Sequence, residues 1–181
     1  MQIILFNILS FFLIFYICLY LHEFGHLLAF IVQKEKIVAF YVFPLLVDMS
    51  KGKIKFKWDF FCLGKVTPKI PALNEKNMNI FRKKMQRSIL AGALVNLGLL
   101  VTSALFLVIV DSKFLWILNI VNLIMTIQNT KDNKYVLGDY IAYYKIKVDD
   151  AVFIRIIYTW YLQDAKRILE NEKIFVKYKV I

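Results

Sequence analysis

A mainly α-helical integral membrane protein with a small interfacial β-hairpin is the fold class this sequence predicts, and three observations predict it. No charged residue occurs from Ile3 to Leu21, and none from Ser88 to Val110, so each run can cross a hydrocarbon core of about 30 Å. Of the 181 residues, 60% are hydrophobic and only 6 are Gly and 3 Pro, which excludes a disordered or fibrous chain and, with such runs, a soluble single-core domain. The 24 Lys and Arg exceed the 13 Asp and Glu but are unevenly placed, with 13 in residues 33–87, 10 in residues 131–181 and Lys113 alone between. Basic residues concentrate in short cytoplasmic loops. The N-terminus and Asp111–Lys113 are therefore expected outside, and residues 33–87 and the tail inside. The net charge of +11 then reflects topology and attraction to the anionic head groups of the bilayer, and no nucleic-acid partner is expected.

The first span is drawn at about 3–32. It lacks a basic n-region and an A-x-A-like cleavage site, and its apolar run exceeds the h-region of a signal peptide, so it is expected to stay on the mature chain. Residues 33–87 then form a cytoplasmic segment. Within it Lys53, Lys55, Lys57 and Asp59 alternate with Ile54, Phe56, Trp58 and Phe60, a strand with one greasy face. Met49-Ser50-Lys51-Gly52 reads as a turn and Lys36–Leu46 as the partner strand, which Pro44 would confine to a sheet edge. That hairpin is either an amphipathic anchor or an edge that receives an extended peptide by β-addition. Pro68 and Pro71 break regular structure, and a basic amphipathic helix over Asn74–Arg87 leads into a second span at 88–110.

A third span at 114–130 is short and carries Asn119, Asn122 and Asn129. These spans and the loops between them, residues 1–145, form the membrane-embedded core, and residues 146–181 a helical tail. There Asp149-Asp150 is a helix N-cap, and Arg155, Asp164, Lys166 and Arg167 recur too often for a fourth span, so an interfacial or docking helix is expected. Cys18 and Cys62 give no disulfide framework and read as free thiols.

The chemistry concentrates in His22-Glu23-Phe24-Gly25-His26, an H-E-x-x-H pattern that holds both histidines of the chain. Residues four apart on a helix are turned by roughly 400° and raised by about 6 Å, so the two imidazoles point the same way and can share one metal ion. Zinc is the ion such pairs favour, and Glu23, offset by about 100° from His22, is placed to act as a base rather than a ligand. The plainer alternative is a polar packing cluster without metal. Burying two imidazoles and a carboxylate at membrane depth is too costly for that without a site to serve.

These residues carry a resemblance. Leu21–Ala29 resembles the H-E-x-G-H helix of the site-2 protease family, the intramembrane zinc metalloproteases, including Gly25 and Ala29. Ala91-Gly92-Ala93-Leu94-Val95-Asn96 is similar to the family's G-P-x-x-N signature with Ala93 in place of proline, and Leu63-Gly64-Lys65-Val66 to its L-G-G-y-v strand. Asn122-Leu123-Ile124-Met125 stands where N-L-I-P is usual, and Gly138-Asp139-Tyr140 where D-G-Y is usual; no proline follows Pro71.

The resemblance implies three core spans, an active site toward the cytoplasm, and a third zinc ligand at the end of the third span. By position that ligand is Asp139, with Asp132 the competing choice. It also implies that Asn96 faces the site, where it would bond substrate backbone or a catalytic group. Gly92, on the same small-residue face as Ser88 and Asn96, is as readily explained by helix packing, and for Asn122 and Asn129 packing is the favoured of the two readings. Tyr140, Tyr143 and Tyr144 read as interfacial aromatics. The expected function is zinc-dependent hydrolysis of peptide bonds in transmembrane segments or membrane-bound precursor peptides, in a bacterial inner membrane. The alternative is a membrane peptide-binding or immunity protein that keeps the fold without catalysis, and a zinc-dependent scaffold or transporter subunit ranks last. Oligomeric state is left open.

Overall fold

The structure, a computed structural model, describes residues 2–58, 63–69, 71, 75–132, 137–161 and 176–177. Asp59, Phe60 and Cys62, the expected helix start at Asn74, and the tail beyond Tyr161 with Asp164, Lys166 and Arg167 lie outside the described residues. Helix α1 runs over Gln2–Val32. Strands β1 (Ile37–Val42), β2 (Leu45–Asp48), β3 (Lys53–Phe56) and β4 (Gly64–Pro68) follow. The helices named after them among the described residues are α2 (Glu75–Ile109), α3 (Lys113–Gln128), α4 (Asp139–Val148) and α5 (Asp150–Tyr161).

α1 and α2 are long and apolar enough to cross a membrane, at Leu5–Val32 and Asn77–Ile109. The third expected span corresponds to α3, whose 16 residues reach about 24 Å, short of a hydrocarbon core of about 30 Å. The amphipathic helix expected over 74–87 is not separate from the second span. No Gly or Pro intervenes between Glu75 and Ala91, so the basic turns simply continue into the apolar ones as the 35 residues of α2.

Beside a buried apolar cluster, many apolar side chains of the long helices are exposed and several polar ones are buried. Large apolar side chains such as Phe6, Phe12, Leu105 and Val108, the last 84% exposed, face outward, while Ser88, Asn96, Ser103 and Asn122 are buried. A helix pair in hydrocarbon gains nothing by hiding leucine and must satisfy its polar groups internally. Asn119 Nδ2 accordingly donates to the Leu100 carbonyl and to Ser103 Oγ, each at 3.1 Å, clasping α3 to α2.

The single hairpin expected between the spans is a four-stranded antiparallel sheet of order β3-β2-β1-β4. Lys36–Leu46 is not one strand. Phe43-Pro44 makes a two-residue turn that pairs Val42 with Leu45, so Pro44 sits in a turn and not on a sheet edge. The turn read at Met49–Gly52 does join β2 to β3. Asp48 Oδ1 accepts from Ser50 N at 3.1 Å and Lys51 N at 3.1 Å, and Gly52 takes the left-handed φ of 61° that a side chain would resist. β4 forms the other edge, pairing Phe40 with Val66. Among the described residues Cys18 is a free, buried thiol.

Asp149 caps α5, its Oδ1 accepting from Ala151 N at 2.8 Å and Val152 N at 3.1 Å. Asp150 instead forms an ion pair with Arg82 on α2. Phe153, Ile154 and Ile157 are fully buried with Phe81 and Met85, so α5 docks rather than lying free at an interface. α4 was no part of the sequence-based expectation, and the expected boundary between core and tail, after residue 145, falls inside it.

Candidate metal centre

Three side chains from two distant parts of the chain converge at the middle of the fold. His22 and His26, one turn apart on α1, bring their Nε2 atoms to 3.1 Å. Asp139, the first residue of α4, brings Oδ2 to 3.1 Å from His22 Nε2 and 3.3 Å from His26 Nε2. Glu23 is buried beside them, and one ligand atom each of His22, Glu23 and His26 lies within 4.8 Å of the others.

The loop before α4 determines where Asp139 stands. Gly138 N donates to the Lys131 carbonyl at 2.8 Å and Tyr140 N to the Asn129 carbonyl at 3.0 Å. A Cβ on Gly138 would lie 2.3 Å from that Asn129 oxygen, so only glycine lets the loop close this tightly. Asp132 is elsewhere. It is paired with Lys145 at 2.8 Å on an exposed part of the same loop.

The groups behind the imidazoles decide which nitrogens face inward. His26 Nδ1 lies 2.7 Å from the Ser88 carbonyl, an acceptor only, so Nδ1 carries the proton and Nε2 presents its lone pair. The Asn96 amide lies 3.0 Å from His22 Nδ1 and is fully buried. Its Oδ1 has no hydrogen-bond partner among the described residues. A half-turn of the amide brings that oxygen to Nδ1, where it accepts the ring proton and leaves Nε2 free in the same way.

Two glycines make room. A Cβ on Gly92 would meet the His26 ring at 2.3 Å, and one on Gly64 of β4 would meet Glu23 Oε1 at 2.2 Å. Gly25 brings α1 and α2 together, facing the Ala91 carbonyl and the Gly92 Cα. Asn122 is not among these groups. Its Nδ2 donates to the Leu118 carbonyl at 2.9 Å and to Cys18 Sγ at 3.4 Å, one turn of α1 before His22. Tyr140, read from sequence as an interfacial aromatic, turns its hydroxyl toward the Ala93 carbonyl at 3.5 Å.

The donor set fits a metal. Asp139 Oδ2 is buried without a hydrogen-bond partner among the described residues, although two imidazole nitrogens face it. In a tetrahedral zinc site with bonds of about 2.0–2.2 Å, ligand atoms stand about 3.4 Å apart. The three separations of 3.1, 3.1 and 3.3 Å match that triangle. With both Nε2 atoms presenting lone pairs, Asp139 Oδ2 receives a proton from neither, and three acceptors facing one another leave a place for a cation between them. Sequence reasoning missed the Ser88 carbonyl, which any residue could supply, and the role of Gly64, which stood in the L-G-K-V segment with no indication of what it faced.

A helix pair with membrane character, an H-E-x-x-H helix and a carboxylate brought to it from a later helix define a metallopeptidase of membranes. The family model of Peptidase family M50, the site-2 protease family, matches residues 10–171, and the chain belongs to that family. No curated protein matches the chain, and no solved structure does.

Proposed function

We propose that this protein is a zinc-dependent intramembrane endopeptidase, which hydrolyses peptide bonds in transmembrane segments or membrane-bound precursor peptides. The observation that carries the reading is the convergence of Asp139 Oδ2 on the two Nε2 atoms, with a Glu23 carboxylate oxygen within 4.8 Å of a ring nitrogen of each histidine. His22, His26 and Asp139 would hold the metal. Zinc there supplies a Lewis acid for the scissile carbonyl and lowers the pKa of a water molecule.

Glu23 takes the proton of the attacking water at a carboxylate oxygen. As the carbon–nitrogen bond breaks it returns that proton to the amide nitrogen, leaving a carboxylate and an amine. Asn96 and the Ser88 carbonyl hold the rings in register, and Gly64 leaves the Glu23 carboxylate its place. β4, an edge strand of the sheet, passes this carboxylate, and a substrate laid extended along that side presents its carbonyl to the site. The site lies about 12 Å from the Lys34 end of α1, counting about 1.5 Å per residue from His26. α3 is the third, short membrane helix, with residues 33–87 and the tail on the cytoplasmic side of an inner membrane.

The test is the zinc content of detergent-purified protein together with cleavage of a membrane-bound peptide. Near one zinc per chain is expected, lost in Asp139→Ala and kept in Asp132→Ala and Glu23→Ala, with cleavage absent from Asp139→Ala and Glu23→Ala. Zinc absent from wild type after exclusion of chelators overturns the reading. A biological effect that survives Glu23→Ala transfers the assignment to a peptide-binding or immunity protein. The departure that motivates that second reading, Met125 where the family has proline, stands before a loop that nonetheless delivers Asp139 to both histidines.

A further inference from the structure

A recess lies where α1 leaves the apolar layer. It encloses about 390 Å³ between the end of α1, the segment after β4 and the first turns of α2. Lys34, Lys36, Lys69 and Lys84 line it against one carboxylate, Glu35, which leaves three positive charges in excess among these groups.

The backbone is arranged to put them there. α1 ends with Lys34 N bonded to the Ile31 carbonyl at 2.9 Å and Glu35 N to the Phe30 carbonyl at 3.0 Å, a helix ending whose left-handed position glycine ordinarily occupies. Here Lys34 holds it, at φ 60°. That conformation costs an L-residue about 1 kcal/mol and places the Lys34 side chain at the rim of the recess. Lys69 N bonds the Lys36 carbonyl at 2.6 Å, which ties those two side chains to one rim. Lys84 is the exception, paired with Glu35 at 2.5 Å, while Lys34, Lys36 and Lys69 have no acidic partner among the described residues.

The surroundings are apolar. Ile31 and Val32, which precede Lys34 at the end of the α1 span, are exposed, Val32 at 77%, and the lining itself includes the exposed Ile80 and the buried Phe81. A cationic recess bordered by outward-facing aliphatic side chains at the end of a membrane span matches a molecule with an anionic head and a hydrocarbon body. We infer that this recess binds the phosphodiester headgroup of an anionic phospholipid, with its acyl chains along Ile31, Val32 and Ile80. Free phosphate would satisfy the lysines but gain nothing from the aliphatic border. The inference rests on the membrane placement of α1 and α2 but not on peptidase activity.

The experiment is native mass spectrometry of the full-length, detergent-purified protein titrated with phosphatidylglycerol or phosphatidylcholine, for wild type, K34Q/K36Q/K69Q and K51Q/K53Q/K55Q. The last variant removes equal charge from the β2–β3 hairpin. Each basic side chain near an anionic surface contributes about fivefold, so the recess variant should lose phosphatidylglycerol affinity on the order of 100-fold. Phosphatidylcholine binding and the control variant should stay close to wild type, and helix content and elution volume confirm the fold of each. Equal retention of the two lipids, equal losses in the two triple variants, or displacement of the lipid by millimolar inorganic phosphate would each overturn the assignment. Recovery of the chain in the soluble fraction without detergent would defeat the membrane placement itself, an outcome separable from the others.

Discussion

A methyl group at position 64 would lie 2.2 Å from Glu23 Oε1, and nothing lets both keep their places. Gly64→Ala is therefore expected to displace the carboxylate while leaving the three ligands untouched. Misplacing a reacting group by about 1 Å can cost on the order of 100-fold in rate, so cleavage should fall by that much with zinc content unchanged. Loss of zinc in this variant would mean that Gly64 supports the sheet rather than the base. Asn96 makes the opposite prediction. Because it sits 3.0 Å from His22 Nδ1, on the far side of the ring from Asp139, Asn96→Ala should weaken zinc binding by about 10–100-fold, as loss of a partner behind a metal-bound histidine typically does. Competition against a chelator of known affinity reads this directly, and unchanged zinc affinity would return Asn96 to the substrate-facing role that the resemblance suggests. At this scale His22, Glu23 and His26 were legible because the spacing of four on a helix is itself the geometry. Asp139 was legible only by its place in the chain, since its distance from His22 depends on how a loop closes.

Among the elements, the caps and turns follow most directly from local chemistry. Asp48 with Gly52 makes the β2–β3 turn, and Asp149 caps α5 through two backbone N–H groups. Asp149→Ala should cost about 0.5–2 kcal/mol, measured as a lower midpoint of thermal unfolding in detergent. Zinc content below the unfolding transition should match wild type, because α5 contacts α2 through Arg82–Asp150 and the Phe153 cluster rather than through the metal site. What local pattern misjudged was extent. The alternation at residues 53–60 announced one strand, but the number of strands depends on which segments pair, and Phe43-Pro44 divided an apparent strand into two. The second span and its amphipathic lead-in merged for a complementary reason: a change from basic to apolar residues alters what surrounds a helix, not whether its backbone continues.

Over the whole molecule, the charge asymmetry predicts a sidedness that labelling can check. In a Cys62→Ser background, cysteines introduced at Ser112 should react with a membrane-impermeant maleimide applied from outside, and cysteines at Lys53 should react only after the membrane is opened. The reverse pattern would place the site on the opposite face and invalidate a cytoplasmic active site. The same asymmetry concentrates lysines where α1 ends, which is where the phospholipid recess lies. The placing of Asn96, Asn122 and Ser103 inside and of Phe6, Leu105 and Val108 outside agrees with a chain surrounded by hydrocarbon.

The sequence by itself determined the membrane class, the long first and second helices, the pair of imidazoles four residues apart with the carboxylate beside them, and the basic character of the segment between the helices. Each of these is a matter of composition or of spacing within one helix, where 3.6 residues per turn translates order into direction. Only the tertiary structure decided that Asp139 and not Asp132 meets the two imidazoles, that the Ser88 carbonyl and Asn96 stand behind them, and that Gly64 and Gly92 must be bare. Those relations join residues dozens of positions apart, and their distances are set by how α1, α2, β4 and α4 pack, which no local pattern records.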